Sequence, residues 1–501
     1  MNHAFEKKKS TILLLPEVSL SLQFEYLFKR DMPSLIVYGF HSASKASEKK
    51  ALWQNLLKGT PMLIIGVHLP MLLPIQNLGL IIIDEEHETG FQEKKHPKIN
   101  SKHVALWRAQ IYKLPILLGS ATPSLTSLHN IEKKRWLFFQ LKNRFVGTFP
   151  SLKKILLTDQ RHKRRPFFWV SAELEQEIHN CLARKEQAIV YLNRRGYSFF
   201  VQCKTCGFIF ECPNCSVSLT LHRQQTDTTL LRCHYCDYRK QLPNTCPTCK
   251  TSSKEFLKKG IGTQQVVHIF QKLFPHARIE RADLDTTRKK RSWQQTAQLF
   301  EQGAIDILIG TKSITKGYHF PNVTLIGILW GDLSLSLPHF NASETTLQEL
   351  IQVAGRAGRS LKPSKVIVQL IQDHPLFDFV CEEKYLSFTK TELEARQATL
   401  YPPFCTLLCL ELCHKSATQV QQDATELAQF LKTNSLGVMV LGPADPIVHK
   451  IQKIEIQHIF LKSTSWNNLY QLIQTLTLPS GGYGLPIKNR PLKSSLFFVY
   501  C

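Results

Sequence analysis

The sequence predicts an α/β protein with two parallel-sheet lobes, a metal-stabilised insertion and a C-terminal α+β domain. Three observations predict it. Short apolar, β-branched runs recur at Thr11 to Leu15, Leu80 to Ile83 and Ile116 to Leu118, then at Ala188 to Leu192, Ile305 to Ile309 and Val323 to Leu329. Strands this uniformly apolar are buried on both faces, as in parallel sheets covered by helices, and helix-like stretches separate the runs. Second, the segment from Cys203 to Lys250 breaks into cysteine, Pro, Gly and polar residues with no core of its own. Third, a chain of 501 residues, 43% hydrophobic and free of repeats, outgrows a single core.

The first set of strands ends near Phe149-Pro150. The expected division is a first lobe over 1–148, a second over 149–375 with the cysteine-rich insertion at 201–252, and a C-terminal domain over 376–501. Strand-like Lys365 to Leu370 precedes that last domain.

With 63 Lys+Arg against 39 Asp+Glu, the formal charge of +24 attracts polyanions, nucleic acid foremost. Lys7-Lys8-Lys9 before Thr11 to Leu15 imitates a signal peptide, but Pro16 and Glu17 end the apolar run too soon. Met62 to Ile83 is apolar yet contains His68, Pro70, Pro74, Gln76 and Asn77, which suits no bilayer span. A soluble cytoplasmic protein is expected.

Eight of the fourteen cysteines form four C-x-x-C pairs: Cys203/Cys206, Cys212/Cys215, Cys233/Cys236 and Cys246/Cys249. Two intervening residues let one tight turn place both sulfurs on a tetrahedral ion, and two pairs complete a Cys₄ site. Eight ligands predict two structural Zn²⁺, and the segment needs them to fold. Spacing leaves the pairing open. A nested arrangement, with Cys203/Cys206/Cys246/Cys249 outside Cys212/Cys215/Cys233/Cys236, is preferred because it brings the ends of the insertion together. His222 and His234 are spare ligands. Cys405, Cys409 and Cys413 read as small core residues on one face of the apolar run Phe404 to Leu412.

Ile81-Ile82-Ile83-Asp84-Glu85-Glu86-His87 is an apolar strand ending in acids. A buried strand delivers carboxylates to the carboxyl edge of its sheet, where Asp84 can hold Mg²⁺ and Glu85 can position or deprotonate an attacking water. Gly119-Ser120-Ala121-Thr122 follows the next strand as a hydroxyl-bearing loop that can link nucleotide state to lobe movement. Gln352-Val353-Ala354-Gly355-Arg356-Ala357-Gly358-Arg359 places Arg356 and Arg359 three residues apart on one helix face, suited to a γ-phosphate approached from the second lobe.

In this order, these elements resemble superfamily 2 helicases, which implies two RecA-like lobes, the first incomplete here. Gly310-Thr311-Lys312-Ser313 through Lys316-Gly317 fits a second-lobe motif that meets DNA backbone and nucleotide, and Pro16-Glu17 fits a first-lobe DNA contact. The match narrows with Leu192-Asn193-Arg194-Arg195-Gly196-Tyr197 before the cysteines, then Gly260-Ile261-Gly262-Thr263, Asp285-Thr286-Thr287, Phe320-Pro321-Asn322-Val323 and Tyr401-Pro402-Pro403-Phe404. Together they resemble the bacterial replication-restart helicases of the primosome over nearly the whole chain. That resemblance implies ATP and Mg²⁺ as cofactors and a monomeric 3′-to-5′ DNA helicase that recognises stalled forks and helps reload the replicative helicase. It implies forked and single-stranded DNA, other primosome proteins and single-strand-binding protein as partners. His87 joins the catalytic set, Gln352, Gly317, Ser120 and Thr122 the nucleotide contacts, and Lys312, Lys316, Arg194 and Arg195 the DNA contacts. The loop holding Phe91 and His96 is where such helicases couple DNA to hydrolysis.

The sequence also departs from that pattern. No Gly-Lys dipeptide occurs, so the phosphate-cradling G-x-x-x-x-G-K-[ST] is absent from these residues, which open at the helix expected to follow it. Val67-His68 stands where Thr-Arg is usual, Trp330 where an acid is usual, and Arg490 to Cys501 lacks the usual aspartates. Weak or absent ATP hydrolysis by this polypeptide alone is therefore expected. A degenerate zinc-dependent DNA-binding and primosome-assembly module is the alternative. A zinc-ribbon RNA-binding or transcription factor leaves Asp84 to His87 and Gln352 to Arg359 unexplained.

Overall fold

In a computed structural model, the structure describes residues 2–500 apart from 94–98, 142–143, 145–146, 158–166, 168–169, 194–199, 204, 207, 209, 214–218, 224–228, 234–237, 254–255, 260–262, 283–289, 316–319, 337–338, 359–361, 477–485, 488–489 and 492–494. The apolar runs form strands. β1 (Ser10–Leu14) is buried along its whole length, which only a central strand covered on both faces can be. β2 (Val37–Gly39), β3 (Leu63–Gly66), β4 (Leu78–Asp84) and β5 (Ile116–Gly119) join it in the order β2-β3-β1-β4-β5, every pairing parallel. The long apolar stretch Met62 to Ile83 is broken by a 3₁₀ turn over Leu69–Leu72, with Pro70 near its start, so it yields β3 and β4 rather than one element. Among the described residues no helix is long and apolar enough to cross a membrane.

Parallel strands need crossovers: α2 (Val18–Asp31) links β1 to β2, α3 (Ala46–Leu57) β2 to β3, the 3₁₀ turn β3 to β4 and α4 (Ser101–Tyr112) β4 to β5, while α1 (Asn2–Glu6) precedes β1 and α5 (Leu125–Glu132) follows β5. α5 starts at Ser124, whose side chain accepts the Ser127 N–H, a polar cap that fixes where the chain leaves β5. A second parallel sheet has the order Ile279–Ala282, Ile307–Gly310, β7 (Gln187–Leu192), Val323–Leu329, Lys365–Leu370, β6 (Ser151–Leu156). Its core contains Ile189, Leu308, Ile326, Val366 and Leu350, the last from the helix Ala342–Ala354. Both sheets lie in one compact unit, Met1–Asn193 with Ile269–Lys390.

The second unit comprises Arg194–His268 and Thr391–Cys501. At the ends of the cysteine-rich segment, Phe200–Cys203 pairs antiparallel with Phe256–Lys259, so the segment leaves and returns at one place. Between them Thr220–Arg223, Thr229–Arg232 and Arg239–Gln241 form a three-stranded antiparallel sheet. The C-terminal part is α+β. Met439–Ala444, Ile454–Ser463, Thr406–His414 and Ser495–Tyr500 lie side by side, antiparallel, with Lys450–Ile451 also paired to Ile454–Ser463. Leu408, Leu410 and Leu412, alternate residues of one strand, share a core with Leu427 and Leu472 from helices Ala417–Thr433 and Trp466–Gln474.

A candidate nucleotide site and a cysteine cluster

β4 ends on Asp84, in register with Gly119 of β5, so the acidic turn and the Ser120–Thr122 loop emerge side by side at the carboxyl edge of the first sheet. Glu85 takes φ 50°, a left-handed conformation unusual for a residue with a side chain, and its N–H donates to Asp84 Oδ1 at 3.0 Å. Burial pushes both carboxyl groups up. Glu85 reaches about 7, with Asp84 and Glu88 adding repulsion while Arg356 and the Gln352 amide oppose it.

The other wall comes from the second sheet. Gln352, near the end of helix Ala342–Ala354, donates its amide to Glu85 Oε2 at 3.3 Å and to His87 Nε2 at 2.8 Å. Because Nε2 then accepts, the imidazole proton belongs on Nδ1, which faces Ser120 Oγ at 2.7 Å; the same oxygen accepts the Thr122 N–H. Burial drives His87 down to about 4, so a neutral ring fits this network. Thr122 Oγ1 stands 3.5 Å from His87 Nε2. Arg356 is buried and close enough to act on the Glu85 carboxylate, but the helix ends at Ala354, so Arg356 sits in the turn that follows and not on the helix face expected for it. Of the other expected site residues, Arg359, Lys316, Gly317, Arg194, Arg195, Cys215 and Cys236 lie outside the described residues, as do His96 and His234.

Several participants were not anticipated. Glu344, Gln348 and Gln352 recur every four residues and so form one polar stripe, a signal present in the sequence. Gln348 donates to Thr122 O at 3.3 Å, and Glu344 accepts the Leu125 N–H at 2.9 Å, where a carboxylate complements the start of α5. Tyr385 donates to Pro123 O at 2.7 Å. Glu86 is buried and accepts from Lys102, from the Ser124 N–H at 2.6 Å and from Ser127 Oγ at 3.0 Å. Lys312 pairs with Glu88 at 2.9 Å and Glu349 at 3.1 Å, so its ammonium already has two carboxylates.

Titration at this site has a defined sign. The folded pKa of Glu85, about 7, lies above its ordinary 4.5, so its contribution to stability falls as pH rises between those values. With 31% of the side chain exposed, the cost at pH 8 is about 1–2 kcal/mol. His87, depressed from 6.5 to about 4, contributes the opposite slope, a gain as pH rises between those values. Glu85→Gln is therefore expected to raise the melting temperature at pH 8 in magnesium-free buffer and to give no gain near pH 4.5. Equal or lower melting of the variant at pH 8 would refute this.

In the second unit Cys203, Cys206, Cys246 and Cys249 converge, their sulfurs all within 4.8 Å of one another. The Cys203–Cys249 and Cys206–Cys246 separations are 3.5 and 3.6 Å, near the roughly 3.8 Å that Zn–S bonds of about 2.3 Å impose in a tetrahedron. These are the outer pairs of the nested arrangement, and the donor set fits zinc. Cys212 and Cys233 are buried in the adjoining core.

Comparison with known proteins agrees with this geometry. Residues 1–131 match the model of DEAD/DEAH box helicases, 244–360 the helicase conserved C-terminal domain, and 212–241 the PriA DNA helicase Cys-rich region domain, a zinc ribbon. The chain is 37% identical over 446 residues to the replication restart protein PriA of Bacillus subtilis, covering 88% of this chain and 54% of that one. It is 31% identical to the PriA proteins of Borreliella burgdorferi, 93% against 69% covered, and of Treponema pallidum, 95% against 71% covered. The chain thus spans about half the length of the Bacillus relative and about seven tenths of the spirochaete ones. Parallel sheets, an acid–histidine turn met by a glutamine helix, a zinc ribbon and these identities together place the chain in the PriA family of replication restart proteins.

Proposed function

We propose that this chain carries the motor of an ATP-dependent 3′-to-5′ DNA helicase that acts in the cytoplasm as a monomer, recognises stalled forks and helps reload the replicative helicase. One observation carries the reading: the amide of Gln352, on the helix Ala342–Ala354 that shares the core of the second sheet, reaches both Glu85 and His87 in the turn that leaves the first. A nucleotide held there meets acids on one side and guanidinium groups on the other. Asp84 would hold Mg²⁺, which neutralises charge on the phosphates. Glu85, whose pKa near 7 suits proton transfer, would position or deprotonate the attacking water. Arg356 and Arg359 would stabilise charge on the γ-phosphoryl group. Ser120, Thr122 and Gln352 would report nucleotide state through His87, and Gly317 would line the nucleotide. Lys316, Arg194 and Arg195 would contact DNA phosphates without sequence preference. Cys212, Cys215, Cys233 and Cys236 would hold a second zinc. Single-strand-binding protein and other primosome proteins are the partners this reading assigns.

A second reading takes these 501 residues, which hold no Gly-Lys dipeptide, by themselves. It makes the polypeptide a zinc-dependent fork-binding and assembly module without turnover. Grafting a phosphate-loop strand and helix ahead of α1 separates the two. The motor reading expects DNA-stimulated, Mg²⁺-dependent hydrolysis by the graft, lowered about 10²-fold or more by Glu85→Gln. A folded graft without turnover, or with turnover indifferent to Glu85→Gln, sinks it. Zinc-dependent fork binding that ATP leaves unchanged would then favour assembly.

A further inference from the structure

We propose that Lys312 is a positioning residue: it fastens the turn after His87 to helix Ala342–Ala354 through a three-membered ion lock with Glu88 and Glu349. The lysine follows the strand Ile307–Gly310 on a short 3₁₀ turn, Lys312–Thr315. Glu88 lies one residue past His87, and Glu349 lies on the helix that carries Gln348 and Gln352. The lock therefore joins first-sheet and second-sheet elements beside the Glu85–His87–Gln352 contacts and sets how closely they approach.

Burial decides between this role and a DNA contact. The side chains of Glu88 and Glu349 are 3% and 7% exposed, whereas that of Lys312 is 31% exposed. Drawing the ammonium away to an external phosphate would break two ion pairs at once, each to a carboxylate almost out of water. The loss exceeds what one phosphate contact in water returns. Lys312 accordingly stays with the acids while DNA is bound elsewhere. Two backbone bonds close the turn it restrains: Glu88 N–H donates to Glu85 O at 2.9 Å and Gln92 N–H to Thr89 O at 3.1 Å. Those two amides report the lock directly.

The inference takes from the preceding reading only that Glu85 faces a nucleotide, and its test uses neither nucleotide nor turnover. Hydrogen exchange on the whole chain is measured for Lys312→Met, Glu349→Gln and the swap Lys312→Glu with Glu349→Lys, which again sets one lysine between two acids. Lys312→Met is expected to speed exchange at Glu88 and Gln92 about tenfold or more while β1 and β3 amides hold. The swap is expected to restore the wild-type rate, and Glu349→Gln to fall between. Unchanged exchange in Lys312→Met, or no rescue by the swap, overturns the lock. If Lys312→Met unfolds the first sheet, rescue by the swap alone decides. A salt titration of forked-DNA binding supplies an independent arm. The slope of log affinity on log salt is expected to be the same for wild type and the swap, and a fall of about one would make Lys312 a phosphate contact. Absence of DNA binding altogether would count against the proposed function and leave exchange to judge the lock.

Discussion

Lys102→Met is expected to destabilise α4 and α5 by about 3–5 kcal/mol, read as the opening free energy of their amides in hydrogen exchange. Glu86 is 3% exposed and its partner Lys102 is 9% exposed, so water cannot replace the lysine. The carboxylate also accepts the Ser124 N–H at 2.6 Å and the Ser124 and Ser127 hydroxyls at 3.1 and 3.0 Å. One side chain thus ties the turn after β4 to α4 and to the first turn of α5. Burial alone would push the Glu86 carboxyl up, but Lys102 and the Ser124 N–H win and hold it below its ordinary value. An acid depressed on folding stabilises above its unfolded pKa, here 4.5, and loses that contribution as pH falls through the folded value. Without Lys102 the depression is removed. The deficit of the variant is then largest near neutrality and shrinks at acid pH, where Glu86 takes up a proton and needs no cation. Removing the acid as well, in Lys102→Met/Glu86→Leu, is expected to return part of the loss. A single variant as stable as wild type at pH 7 would show that the pair does not hold this corner together.

The difference between Glu85 and Glu86 shows what a sequence can carry. Glu85 was legible as a residue of the sheet's carboxyl edge, because an apolar strand ending in acids states where the carboxylate emerges. Glu86, the next residue, is turned inward, and its lysine lies sixteen positions away on a helix, where nothing local marks it. Lys312 is a similar case. A lysine in a motif of DNA contacts reads as a free cation, and only three-dimensional placement brings Glu88 and Glu349 to it. Largely apolar runs such as Val323–Leu329 announced buried parallel strands. The short strands of the cysteine-rich segment gave no such sign, because their interior depends on thiols as much as on hydrocarbon. Of Cys405, Cys409 and Cys413, all expected in the core, Cys409 is buried, whereas Cys405 and Cys413 are only half-buried, Cys405 lying just before the strand that starts at Thr406. Cys409 itself fits that reading. It projects from a strand, on the face opposite Leu408, Leu410 and Leu412, since four residues are two full strand repeats as well as about one helical turn.

Cys246→Ser, or stripping the metal with a chelator, is expected to unfold the segment around Phe200 to Lys259 while the Leu410 core of the same unit persists. Among the described residues, the apolar contribution to that segment comes chiefly from Val201, Phe210, Leu219, Leu231 and Phe256, packed around the buried cysteines. So small a cluster does not offset the entropy of ordering a loop-rich chain. Structural zinc supplies about 10–16 kcal/mol of apparent binding free energy in small metal-dependent folds, which makes the ion the larger share here. Serine offers a neutral hydroxyl in place of a thiolate, and the three remaining sulfurs then hold like charge near one another without a complete ion shell. Loss should begin at the pairing of Phe200–Cys203 with Phe256–Lys259, since Cys203 is at once a strand residue and one of the four clustered thiols. It should reach Ile451, which packs against the same core from the short strand Lys450–Ile451. Leu410, Leu427 and Ile459 have their own helices above them and lose nothing by it. Hydrogen exchange with zinc counting by mass spectrometry reads both effects at once: protection at Val201 and Leu231 falls to near that of unfolded chain, and the zinc held by the segment is lost with it. Retention of zinc and protection together in Cys246→Ser would mean that apolar packing holds the segment and that the thiols meet for another reason.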